Sequence, residues 1–164
     1  MRIAVIGLGY VGLPLCLQFA RNKVHVLGLD IDPVKVDSIN SGCSYIQHID
    51  GSAIKELVGA GMLEASTDFS RVGEVEAILI CVPTPLSKNR EPDISYIIKT
   101  AETIAPHLQP GTTVVLESTT YPGTTDEDLR QVLEKGSGLV AGKDFHLAFS
   151  PEREDPGNPN SKVA

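Results

Sequence analysis

The sequence predicts an α/β fold: a doubly wound parallel sheet of about six strands with helices on both faces. Two observations carry this. Short, β-rich apolar runs alternate along the chain with segments of helical periodicity. The runs are almost entirely apolar instead of alternating with polar residues, as parallel strands covered on both faces require.

The runs are Ile3 to Ile6, Val24 to Leu29, Ala77 to Val82, Thr113 to Glu117 and His146 to Phe149, with a weaker one near Glu64 to Thr67. Between them, helices are expected over Val11 to Arg21, Pro33 to Asn40, Ser52 to Gly59, Ser95 to Leu108 and Thr125 to Lys135. Asp32-Pro33 sets a capping side chain before a first-turn proline. Ile97, Ile98, Ala101 and Ile104 recur at helical spacing after Asp93-Ile94-Ser95. Asp126, Glu127 and Asp128 follow Thr124-Thr125 and suit the positive end of a helix dipole.

With 164 residues and 41% hydrophobic content, the chain is expected to form one domain over 1–164 with a single core. Its net charge of -7 and lack of a long basic run argue against a nucleic-acid or membrane-surface partner, since phosphate binding needs clustered Lys and Arg. Cys16, Cys43 and Cys81 form no C-x-x-C pair and no cluster with His, so no metal is expected and the thiols read as reduced and mostly buried. No stretch is apolar enough to span a bilayer, and a cytoplasmic location is expected.

Gly7-Leu8-Gly9-Tyr10-Val11-Gly12 follows the first strand and opens a helix. Such a pattern alone is weak, but a strand precedes it, an amphipathic helix follows, and Asp30 ends the second strand at the distance a dinucleotide site requires. Gly7 permits the tight turn. Gly9 admits a pyrophosphate close to the backbone, and Gly12 lets the helix pack tightly on the strand. The helix N-terminus then offers free N–H groups to an anion. A Rossmann-type NAD domain is the reading that results. Asp30 is expected to accept both ribose hydroxyls and to repel a 2′-phosphate. Lys35, five residues on, reads either as a brace for ribose or phosphate or as a plain surface lysine.

Three further segments end strands and therefore face one crevice: Cys81-Val82-Pro83-Thr84-Pro85, Glu117 through Thr125, and Ser150-Pro151-Glu152-Arg153. Singly, each is ordinary turn chemistry. Together on one edge they point to a site.

Taken with Ile6-Gly7-Leu8-Gly9-Tyr10-Val11-Gly12-Leu13-Pro14, these segments resemble the UDP-glucose/GDP-mannose dehydrogenase superfamily, most of all its bacterial UDP-N-acetylglucosamine 6-dehydrogenases and UDP-N-acetylmannosamine relatives. The resemblance spans the whole chain but only the N-terminal half of such a protein. It implies NAD-dependent oxidation of a UDP-sugar's primary alcohol to the carboxylate by two hydride transfers, through a cysteine-bound thiohemiacetal and thioester. The central helix, the C-terminal sugar-nucleotide domain and the catalytic Cys, Lys and Asp are then expected outside this chain, which alone is expected to be inactive. A homodimer or higher assembly is implied for the full-length enzyme, with 1–164 alone either monomeric or associating through surface that the rest of such an enzyme covers.

By position, the resemblance makes Gly7, Gly9, Tyr10, Val11, Gly12, Asp30, Lys35, Thr84, Ser118 and Thr119 cofactor contacts. Glu152 and Thr119 become catalytic candidates, with Glu152 as the acid/base carboxylate of thioester hydrolysis, and Glu152, Arg153 and Glu154 become sugar-nucleotide contacts. The UDP-glucose branch tends to carry an aromatic where Arg153 stands, which favours an N-acetylated sugar. UDP-N-acetylmannosamine and UDP-glucose remain alternative substrates. A hydroxyacid or 6-phosphogluconate dehydrogenase would place other groups at the Pro-Thr-Pro and Ser-Pro-Glu-Arg segments. An NAD-sensing module would need neither Glu152 nor Thr119 on the crevice edge.

If Glu152 is the general base, Glu152→Gln in a full-length enzyme should keep near-normal NAD affinity, lower steady-state rate by about 10²–10⁴-fold and accumulate thioester. Rapid-quench trapping of the acyl-enzyme checks this; wild-type hydrolysis in the Gln variant would remove Glu152 from the role.

Overall fold

The computed structural model describes residues 1–86 and 92–151. Six strands, β1 (Arg2–Ile6), β2 (His25–Leu29), β3 (Leu63–Ser66), β4 (Ala77–Ile80), β5 (Thr113–Leu116) and β6 (His146–Phe149), form one sheet in the order β3-β2-β1-β4-β5-β6. Every pairing is parallel. This is the doubly wound arrangement of two βαβαβ halves meeting at β1 and β4.

Side chains of successive strand residues leave by opposite faces, so each apolar strand feeds two cores. Ile3 and Val5 of β1 join Val26, Leu63 and Leu79 beneath the helices α1 (Gly12–Arg21), α2 (Pro33–Asn40) and α3 (Gly51–Gly59). Ala4 and Ile6 join Leu27, Leu29, Ile78, Ile80, Val114 and Leu116 on the other face, beneath α4 (Ser95–Ile104) and α5 (Arg130–Ser137). Leu13, Ile54, Ile97 and Phe145 are fully buried. Each such side chain stabilises the fold by about 1.5–3 kcal/mol relative to an exposed position.

The sequence-based boundaries hold with physically interpretable exceptions. Helix α2 starts and ends where its pattern does, and Asp32 accepts the Val34 N–H as its cap. The pattern from Ser95 to Leu108 breaks at Ile104, followed by a 3-10 turn over Ala105–His107. Pro106 lacks a donor and its ring crowds the preceding turn. The expected helix from Thr125 opens one residue earlier as a π-helical turn, Thr124–Leu129, and becomes α-helical only at Arg130. Thr124, Thr125, Asp126 and Asp128 are weak helix formers. The Thr124 hydroxyl is held by the Tyr121 carbonyl at 3.0 Å and pairs with the Thr120 hydroxyl at 2.7 Å. Asp50 and Asp68, not singled out as caps in the sequence, cap α3 and the 3-10 helix Phe69–Glu74.

The junction of β1 and α1 is the tightest in the fold. Gly7 has φ of 94°, a left-handed conformation that favours glycine, and a Cβ there would lie 2.7 Å from the Cys81 carbonyl oxygen. A Cβ on Gly12 would lie 1.8 Å from the Gly7 carbonyl oxygen. At Gly9, by contrast, a Cβ would meet nothing within 4 Å. Gly12→Ala should therefore cost about 3 kcal/mol or more, whereas Gly9→Ala should leave stability within about 0.5 kcal/mol. Equilibrium unfolding in urea separates the two; equal losses would contradict the packing assigned to Gly12.

Candidate functional site

The chain leaves β1 and β4, neighbours in the sheet, toward opposite faces, and the C-terminal ends of all six parallel strands lie on one edge. Backbone ladders continue past the strand ends: Gly7 N–H donates to Leu29 O and Cys81 N–H to Ile6 O, both at 2.8 Å. Glu117 N–H donates to Ile80 O and Ser150 N–H to Leu116 O, both at 2.9 Å. The glycine loop and the segments after β4, β5 and β6 thus begin as one continuous rim. A crevice at this switch point is where open α/β sheets bind ligands.

On one side of the rim, Gly7, Gly9, Tyr10, Val11, Gly12, Asp30 and Lys35 come together. Helix α1 begins after Val11 with no side-chain cap, which leaves its N-terminal N–H groups available to an anion. Asp30 is 6% exposed. Its Oδ2 accepts from the Leu8 N–H at 2.8 Å and the Lys35 ammonium at 3.2 Å, and its Oδ1 from the Asp32 N–H at 3.0 Å. A carboxylate offers about four acceptor sites, and these three donors leave about one open to a ribose hydroxyl. Lys35, left open between brace and surface lysine, is neither free nor distant: it is the ion-pair partner of Asp30.

On the other side, the hydroxyls expected to meet the cofactor are partly spent within the protein. Ser118 is buried, and its hydroxyl donates to the Val82 carbonyl at 2.9 Å. Thr84 donates to the Thr119 carbonyl at 2.6 Å, while Thr119 itself is exposed. These two bonds tie the end of β4 to the end of β5. The Ser150 hydroxyl donates to Glu117 at 3.2 Å and ties β5 to β6 in the same way. Glu152, Arg153 and Glu154 lie outside the described residues.

Two contacts come from a segment the sequence reading passed over. The connection from α2 to α3 folds back on the glycine loop, where Tyr45 donates from its hydroxyl to the Leu8 carbonyl and the His48 ring stacks on Tyr10 with centroids 6.3 Å apart. An aromatic residue in a short polar stretch after the second strand was the only signal available.

None of the three cysteines is in a disulfide. Cys16 and Cys81 are buried, and burial pushes the Cys16 thiol well above its ordinary range, which suits a packed core group and not a nucleophile. Cys43, in the loop after α2, is exposed, so the thiols are mostly buried as expected. Among the described residues no group of His, Cys, Asp and Glu is placed to hold a metal ion, and no helix is long and apolar enough to cross a membrane.

The profile of the UDP-glucose/GDP-mannose dehydrogenase family, NAD binding domain, matches residues 1–164. The chain belongs to this family. It is 36% identical over 164 residues to a UDP-N-acetyl-D-glucosamine 6-dehydrogenase of Pseudomonas aeruginosa, covering all of this chain and 38% of that one. It is 41% identical over 159 residues to a UDP-N-acetyl-D-mannosamine dehydrogenase of Pyrococcus horikoshii, covering 96% of this chain and 37% of the relative. The crystal structure of a ternary complex of GDP-mannose dehydrogenase from Pseudomonas aeruginosa superposes with a TM-score of 0.88 at 33% identity, over 93% of this chain and 36% of that one. The chain thus spans well under half the length of the relatives it matches. NAD is the cofactor of the domain, and the open space over Gly9, the uncapped helix and the buried carboxylate fit it.

Asp30 should select NAD over NADP, because a 2′-phosphate would approach a buried carboxylate. We expect at least about tenfold tighter binding of NAD by calorimetric titration, equivalent to about 1.4 kcal/mol. Comparable affinities would contradict this and turn attention to Lys35.

Proposed function

We propose that this chain supplies the NAD site of a nucleotide-sugar 6-dehydrogenase that oxidises the C6 alcohol of UDP-N-acetylglucosamine to the uronate. What carries the reading is the glycine loop and Asp30 sharing one sheet edge with the Pro-Thr-Pro and Ser-Thr segments. NAD, when bound, accepts the hydride in each of the two oxidations. The residues of this chain bind and orient it. The α1 N-terminus faces the pyrophosphate, Asp30 holds the adenosine ribose, and the rim of Thr84, Ser118 and Thr119 borders the reacting end.

Glu152 is proposed to orient and deprotonate the water of thioester hydrolysis, with Arg153 and Glu154 at the sugar nucleotide. The activated thiolate is proposed to lie in sequence beyond this chain, since Cys16 and Cys81 are buried and Cys43 lies in the loop after α2, distant in sequence from the segments after β4, β5 and β6. UDP-N-acetylmannosamine is a second reading, supported by the 41% identity to the Pyrococcus enzyme of that name.

Residues 1–164 alone should bind NAD yet form no NADH with either UDP-sugar. A full-length protein carrying this domain should form two NADH per sugar oxidised. NADH production by 1–164 that disappears on substituting one of its cysteines would refute the placement of the thiol. Absence of turnover by the full-length protein on both N-acetylated sugars would refute the substrate.

A further inference from the structure

The connection between α2 and α3 reaches the glycine loop at two points, and one of them fixes a peptide group of that loop. Leu8 lies between Gly7 and Gly9, and both of its backbone polar groups are bound. Its N–H donates to Asp30 Oδ2 at 2.8 Å. Its carbonyl accepts the Tyr45 hydroxyl at 2.5 Å. The Leu8–Gly9 peptide is planar and trans, so its N–H points opposite to its carbonyl. A hydroxyl that captures the Leu8 carbonyl therefore turns the Gly9 N–H away from Tyr45, and the space over Gly9 is open.

We propose that Tyr45 is a positioning residue for the cofactor: its hydroxyl, acting through the Leu8–Gly9 peptide, presets the Gly9 N–H to meet the dinucleotide pyrophosphate. The inference rests on the reading of Gly7–Gly12 as the NAD cradle. Three observations support it besides the hydrogen bond. The Tyr45 ring is half-buried against the core under α1 to α3, so the hydroxyl is held in place by packing and not by chance contact. Burial, with the Asp30 carboxylate adding to it, pushes the phenol well above its ordinary range and keeps it a proton donor. Three residues on, the His48 ring stacks on Tyr10, bracing the same loop at a second point. Leu8 is thereby held between Asp30 and Tyr45, so the group expected to bind the ribose and the group orienting the pyrophosphate amide meet on one residue.

Tyr45→Phe removes only the hydroxyl. In the chain 1–164 it should weaken NAD and ADP-ribose binding by about three- to tenfold, the loss expected for one hydrogen bond, and should displace the Gly9 amide resonance more than that of Gly59. A Tyr45 that merely stabilises the fold would lower the melting temperature while leaving the affinity of the folded protein for NAD and ADP-ribose unchanged, and that result overturns the proposal. If the unmodified chain binds no NAD, the cradle reading fails and the inference falls with it; if it binds NAD and the Phe variant binds equally well, the inference alone fails. Should the Phe variant not fold, the unmodified chain decides. Tyr45 ring resonances that follow the Gly9 amide along one NAD binding curve support the proposal, and ring resonances unmoved at saturation overturn it.

Discussion

The close approach of α1 to β1 sets the terms for everything at the rim. With no Cβ on Gly12, the first turn of α1 sits almost on the Gly7 carbonyl, and Gly7 in turn lies against the Cys81 carbonyl at the end of β4. One three-way contact thus fixes where the helix starts and how near it stands to the switch point between β1 and β4. Helix dipoles and free N–H groups act over a short range, within the first turn. A larger residue at either position would displace that turn from the crevice as well as destabilise the core.

Around this junction the loops are held by polar groups whose bonds run mostly to backbone. Asp30 holds Leu8 and Asp32, Ser118 holds Val82, Thr84 holds Thr119, and Ser150 holds Glu117. A strand end has no partner for the next residue's groups, so irregular segments there must find side chains instead. The residue types that serve as ligand contacts in such a site are the same types that satisfy its backbone. Ser118 shows the overlap most clearly: the sequence sets it where a cofactor contact is expected, yet its hydroxyl donates to the Val82 carbonyl.

What was legible in the sequence was what repeats or is locally determined. The apolar runs, the position of Asp30 and the Asp32-Pro33 start of α2 are set by neighbours close in the chain, and they reappear where the pattern put them. The apolar repeat through Ile97, Ala101 and Ile104 runs on toward Leu108, but Pro106 ends the α-helix at Ile104. Tyr45 was not legible, because its role depends on a partner 37 positions away, brought near only when α2 and α3 dock. The inward turn of the Ser118 hydroxyl was invisible for the same reason: no local rule tells a strand-end serine whether to face a ligand or a neighbouring carbonyl.

Asp30 carries two loads on one carboxylate. The oxygen that would discriminate between the two dinucleotides also anchors the Leu8 amide and the Lys35 ammonium, while the other oxygen anchors the start of α2. If Asp30 selects NAD as expected, cofactor choice and loop shape are a single trait in this domain. A protein engineer who exchanges Asp30 for a neutral residue to admit NADP also releases the glycine loop. A change toward NADP would then need compensating donors and acceptors at the loop before the charge could be given up.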